Sequence, residues 1–182
     1  MFSVASFNVN GLTGFSSGRL AAVLEALGPL EVLAVQEQMV RDFGARGYEC
    51  YFATSSLRAG YSGVCCVARE NTVLEAYDWF LDEETAPCPQ CELLRKEGRV
   101  LILDLGSVVV INVYVPNGGK EVKAGRPDVP QKKEFLRRLR ATCDLLQVWY
   151  RLSLFQCPLA SSRCSSFFKN RHRDERLYSL GI

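Results

Sequence analysis

A chain of 182 residues, 48% hydrophobic and 23% charged, has ordinary globular composition and is long enough to bury a core as one domain. A net charge of +2 excludes a nucleic-acid binder driven by charge alone, and no apolar run reaches membrane-spanning length, so no membrane partner is expected. Eight cysteines behind an N-terminus with no charged leader or apolar core read as reduced thiols rather than a disulfide framework, which points to nucleus or cytosol.

Residues 2–9 (FSVASFNV) predict a short strand that ends in the turn Asn8-Val9-Asn10-Gly11. Residues 17–27 predict a helix: Leu20, Val23, Leu24 and Leu27 recur at helical spacing, Ser17 can cap the start, and Gly28-Pro29 stops it. A buried strand over 32–35 then ends at Gln36-Glu37-Gln38. Strand, crossover helix and strand of this length suggest parallel strands or neighbours in one sheet. Further strands are expected over 48–53, over 64–68 after Gly60-Tyr61-Ser62-Gly63, and over 72–79. Cys88-Pro89-Gln90-Cys91 predicts a loop.

Residues 100–105 and 108–115 are two apolar, β-branched runs separated by Gly106-Ser107, the pattern of a β-hairpin. The second run is nearly all apolar and is expected to be buried on both faces. It stops at Pro116-Asn117-Gly118-Gly119, where proline cannot donate to a ladder and the glycines permit a sharp loop. A polar loop over 120–131 follows, then an amphipathic helix over 132–149 with Phe135, Leu139, Cys143 and Leu146 on one face and basic residues opposite. From 147 onward no period is sustained, so the chain divides into a domain over 1–146 and an unrelated or disordered tail over 147–182.

Polar residues collect at the strand ends: Asn8 and Asn10 after the first, Glu37 after the second, Tyr114 and Asn117 after the hairpin. A sandwich that gathers its strand ends at one rim would bring them together. One carboxylate with amide neighbours suits a hard cation such as Mg²⁺, and a phenol and amides can hold phosphate oxygens. No single residue is specific, and Glu37 alone reads more plainly as a solvated loop acid. Cys88 and Cys91 have zinc-ligand spacing but no second matching pair, and a structural zinc site wants four ligands. The basic face over 132–140 could meet DNA phosphates, although a solvated helix face is the plainer reading. The arginines over 171–176 have the density of a nuclear localisation patch, interrupted by Asp174-Glu175.

Taken together, five segments resemble a known family. Ser6-Phe7-Asn8-Val9-Asn10-Gly11-Leu12, Val35-Gln36-Glu37, Gly60-Tyr61-Ser62-Gly63-Val64, Glu97-Gly98-Arg99-Val100 and Asn112-Val113-Tyr114-Val115-Pro116-Asn117 stand in the order found in exonuclease III-type apurinic/apyrimidinic endonucleases. These belong to the endonuclease/exonuclease/phosphatase superfamily, and the Arg126-Pro127 stretch looks closer to the eukaryotic class II branch. The resemblance implies a four-layered α/β sandwich and Mg²⁺-dependent phosphodiester cleavage beside abasic sites in DNA, with Mn²⁺ as the alternative ion and 3′-end trimming as a second activity. It implies Glu37 and Asn10 as metal ligands, and Tyr114 and Asn117 as catalytic contacts to the scissile phosphate. Asn8, Tyr61 and Arg99 would lie along the phosphate, DNA-facing or structural surface. Base excision repair in the nucleus is the implied setting, with cytoplasm the alternative.

The resemblance covers roughly residues 1–146. The family's Gly-Asp-Leu-Asn strand end and Ser-Asp-His motif do not occur, and the single histidine, His172, has no Ser-Asp before it. General-base catalysis is worth about 10²–10⁴-fold, so activity is expected to be impaired. The chain is therefore read as a partial sandwich, about the first half, truncated, with an irregular C-terminal tail. It would supply one sheet whose inner apolar face is uncovered, and a protein partner would cover that face. The rival function is a catalytically inert remnant that only binds DNA or a protein. A second rival is an RNA deadenylase or phosphoinositide phosphatase of the same superfamily, against which the Tyr-Val-Pro-Asn and Gly-Tyr-Ser-Gly strings argue.

Overall fold

The computed structural model describes residues 2–9, 17–36, 46–57, 62–81, 89–117 and 128–154. Strand β1 (Val4–Asn8) leads through helix α1 (Ser17–Leu27) to strand β2 (Val32–Gln36). β1 and β2 pair in parallel, with Val4 opposite Val32 and Asn8 opposite Gln36, as the crossover helix requires. Strands β3 (Tyr48–Ala53) and β4 (Val64–Arg69) join antiparallel, giving a sheet of order β1-β2-β4-β3. A second, antiparallel sheet has the order β5 (Glu75–Tyr77), β6 (Val100–Asp104), β7 (Val109–Val113). Helix α2 (Pro89–Lys96) precedes β6, and helix α3 (Asp128–Leu154) follows β7.

Side-chain alternation sorts these elements into four layers. On β2, Leu33 and Val35 turn to one side and pack with Leu20 and Leu24 of α1, while Val32 and Ala34 turn to the other. On β6, Leu101 and Leu103 meet Val32, Ala34, Val64 and Cys66 of the first sheet, whereas Val100 and Ile102 face Leu94 of α2 and Phe135 and Leu146 of α3. The order is helix, sheet, sheet, helix. This is the expected α/β sandwich, with one correction. The chain supplies two sheets, not one, and their inner faces cover each other instead of lying open. β7 lies over β2 and β4, and β6 over β4 and β3, which leaves β1 at the margin with Val4 46% exposed.

Three elements differ from expectation. Cys88-Pro89-Gln90-Cys91 is not a loop throughout, because α2 begins at Pro89. Proline is suited to a first helical turn, and Glu92 early with Arg95 and Lys96 late match the helix dipole. Cys88 lies outside the described residues, and Cys91 is buried, its thiol donating to Glu134 Oε1 at 3.3 Å. β7 is half-buried rather than enclosed, because it is the last strand of its sheet among the described residues, and the strand enclosed on both faces is β6. α3 begins at Asp128, with Pro130 tolerated in its first turn, and continues to Leu154, so helix crosses the 146/147 boundary. Residues 155–182, His172 and the arginines over 171–176 among them, lie outside the described residues.

The basic face of α3 is interrupted as well. Arg138 is buried at 2% exposure, donates to Glu134 Oε1 at 2.9 Å and lies 6.0 Å from the Trp79 ring. Arg137 adds two bonds to the same carboxylate, at 2.7 and 2.8 Å. Arg137 first, with help from Cys91 and Arg138, holds the Glu134 carboxyl down to about 2 against an ordinary value of 4.5. A depressed carboxyl contributes stability that is complete above its unfolded value and lost as it takes up a proton. Stability should therefore fall as pH drops from about 4.5 to about 2. Glu134→Gln should flatten that part of the acid-denaturation curve, read by circular dichroism.

Candidate active site

The space between the sheets changes character along its length. On the inner face β2 reads Val32, Ala34, then Gln36; β7 reads Val110, then Asn112 and Tyr114; β1 reads Val4, Ser6, Asn8. The registers put the polar members at the same end. Asn8 stands opposite Gln36 and Gln36 opposite Val64, while Val113 stands opposite Val100, which Arg99 precedes. Ser62, Arg99 and Tyr114 therefore meet at the rim where β1, β2 and β7 end and β4 and β6 begin. Oxygen and amide donors prevail here, a set suited to hard cations and phosphate rather than to zinc.

Polar side chains in this rim are satisfied. Asn112, 3% exposed, donates through Nδ2 to the carbonyls of Val35 at 3.1 Å and Cys65 at 2.8 Å. Its Oδ1 accepts from Gln36 Nε2 at 2.7 Å, and the same Gln36 nitrogen donates to Ser6 Oγ at 3.1 Å. Buried amides are tolerated when each group is bonded in this way.

Tyr114 rests on a buried pedestal. Arg99, 4% exposed, donates through Nε to the Glu97 carboxylate and through Nη1 to the Tyr114 carbonyl at 3.2 Å. The Tyr114 N–H donates back to the Arg99 carbonyl at 2.9 Å, and the guanidinium lies 4.8 Å from the centre of the Tyr114 ring. Ser62, itself buried, donates its hydroxyl to the Glu97 carbonyl. Between Glu97 and Arg99, Gly98 has φ +61°, a left-handed conformation. A Cβ there would lie 2.6 Å from the carbonyl oxygen and 2.7 Å from the nitrogen of Thr54. Glu97-Gly98-Arg99 is thus a tight turn pressed against the end of β3, with Tyr114 as its load.

Of the residues singled out in the sequence, Asn8, Arg99, Tyr114 and Asn117 are placed by the structure. Asn8 is exposed at the end of β1, Tyr114 is half-buried, and Asn117 is exposed beyond buried Pro116. Arg99 is buried under Tyr114. Asn10, Glu37 and Tyr61 lie outside the described residues; Glu37 directly follows Gln36, the last residue of β2. Gln36 and Asn112 were not among the expected site residues. A visible signal existed, since Asn112 is the lone amide in an otherwise apolar and aromatic run from 108 to 115.

No protein-family model matches the chain, and no curated protein matches it in sequence. Solved structures do. The Xenopus laevis APE2 catalytic domain is 26% identical with a TM-score of 0.52, over 75% of this chain and 49% of that one. The AP endonuclease LMAP from Leishmania major is 23% identical with a TM-score of 0.56, over 78% of this chain and 47% of that one. The fold is that of the exonuclease III-type apurinic/apyrimidinic endonucleases. The 3′ phosphatase NExo from Neisseria, bound to product DNA hairpin, shares it at 21% identity and a TM-score of 0.58, over 81% of this chain and 53% of that one. The chain spans about half the length of the exonuclease III-type structures it matches. Among the described residues no helix is long and apolar enough to cross a membrane.

Proposed function

We propose that this chain carries the metal- and phosphate-binding portion of an apurinic/apyrimidinic endonuclease-like nuclease acting on DNA with abasic sites in base excision repair. The observation that supports this most is the rim, where the ends of β1, β2 and β7 carry Asn8, Gln36, Asn112 and Tyr114 on the inner face, Gln36 standing one residue before Glu37 in the sequence. Glu37 and Asn10 would hold the divalent ion, Mg²⁺ with Mn²⁺ as substitute, and the ion would neutralise charge on the phosphate. Tyr114 and Asn117 would donate hydrogen bonds to phosphate oxygens, Asn8 would support them, and Tyr61 would line the DNA side. Arg99 would set the height and tilt of Tyr114. The nucleus, with cytoplasm as alternative, is the setting that goes with this reading.

A second reading, an inert chain that binds DNA or a protein, is favoured by the edges of the sandwich. β7 pairs with β6 on one side only among the described residues, and β1 lies at the margin with Phe7 50% exposed. A partner strand would add along β7 and cover β1, rather than cover an inner face.

A duplex with a single abasic site, with and without Mg²⁺, separates the two. The nuclease reading expects Mg²⁺-dependent incision by the full chain that disappears in Glu37→Gln with its fold intact. Binding of the duplex without incision, equal in Glu37→Gln, would reject it in favour of the second reading.

A further inference from the structure

The apolar filling between the two sheets presses them together but has no direction, so it does not by itself fix how far one sheet slides over the other. Among the described residues, Asn112 crosses that interlayer with directional bonds. Asn112 stands on β7 in the second sheet, yet its partners Val35 O, Cys65 O and Gln36 Nε2 belong to β2 and β4 of the first. Gln36 passes the connection on to Ser6 of β1. A single amide thereby ties three strands of one sheet to the last strand of the other.

The tie lies where alignment matters. Asn112 is two residues before Tyr114 on the same inner face, and Gln36 is one residue before Glu37. We infer that Asn112 is a positioning residue that sets the β7 end, with Tyr114, against the β2 end at Gln36, the residue that precedes Glu37 in the sequence. This rests on the reading of the rim as a metal and phosphate site. Leucine of similar size in its place would pack in the apolar interlayer and lose every directional bond, which separates alignment from bulk stability.

Asn112→Leu in the full chain gives two readouts. The first is amide hydrogen exchange without metal. Val9 N–H, bonded to the Gln36 carbonyl, and Tyr114 N–H, bonded to Arg99, report the rim, while Arg69 N–H and Leu74 N–H report the opposite end. The expected result is exchange about tenfold faster at Val9 and Tyr114, no change at Arg69 and Leu74, and a thermal midpoint within about 5 °C of the parent. Acceleration at both ends together, or at neither, would overturn the inference. The second readout is Mn²⁺ binding, followed by the free-ion paramagnetic resonance signal with Glu37→Gln as reference. About tenfold weaker binding in Asn112→Leu supports the positioning role, and unchanged Mn²⁺ affinity overturns it. If the parent chain binds no Mn²⁺ while the exchange pattern is as expected, the alignment by Asn112 stands and the metal reading of the rim falls.

Discussion

Gly98→Ala is expected to be a severely damaging change for a single methyl group. The left-handed backbone at φ +61° is strained for any residue with a Cβ, and that Cβ would press on the backbone of Thr54 rather than on a side chain that could move aside. Thr54 cannot easily retreat, because two residues later the Ser56 N–H donates to the Lys96 carbonyl at 2.8 Å and ties the same two segments together. Backbone strain and overpacking each cost about 1–3 kcal/mol, so a combined loss of about 3–5 kcal/mol is expected. In a chain of this size that lowers the thermal midpoint by about 10 °C or more. A calorimetric midpoint within a few degrees of the parent would show that the turn relaxes freely.

Arg99→Met should come next. The Glu97 and Arg99 side chains are 10% and 5% exposed, so removing the cation leaves a carboxylate buried beside Tyr114. Breaking one partner of such a pair costs about 3–5 kcal/mol, well above the worth of a surface ion pair. Glu97→Gln together with Arg99→Met should recover much of that loss, since no charge then remains buried. Urea unfolding of the two single variants and the double variant measures the coupling. Additive losses would mean that the guanidinium acts on Tyr114 alone and that its pairing with Glu97 contributes little. Arg99→Lys is not expected to substitute, because an ammonium lacks the planar fork that meets Glu97 and the Tyr114 carbonyl at once.

Most of the strands and α1 were legible because their signals are local. Leu20, Val23, Leu24 and Leu27 mark α1 by period, and Gly106-Ser107 marks the hairpin by turn chemistry. What the sequence hid depends on neighbours distant in the chain. The apolar run of β7 looks enclosed, yet enclosure depends on how many strands the sheet places beside it, and β7 is last in order among the described residues. The helix at Pro89 was masked by two cysteines whose spacing drew attention to metals, although the proline and the flanking charges carried the helix signal. The motif strings identified the neighbourhood of Tyr114, but not that Arg99 would lie beneath it. A buried arginine becomes legible only with its carboxylate partner, and Glu97 lies before the strand, where the pairing is made across the left-handed turn at Gly98 and not by an element's period.

One consequence of the layered packing is a pair of internal clocks. Cys65 and Cys66 are adjacent on β4, so pleating sends one thiol toward α1 and the other between the sheets. Burial pushes Cys66 up to about 12 and Cys65 well above the ordinary thiol value, which leaves almost no reactive thiolate while either layer is shut. An alkylating reagent therefore marks Cys65 only when the helix lifts from its sheet, and Cys66 only when the sheets part. The ratio of the two labels, read by peptide mass, dates the two events separately and tells which seam of the sandwich gives way first.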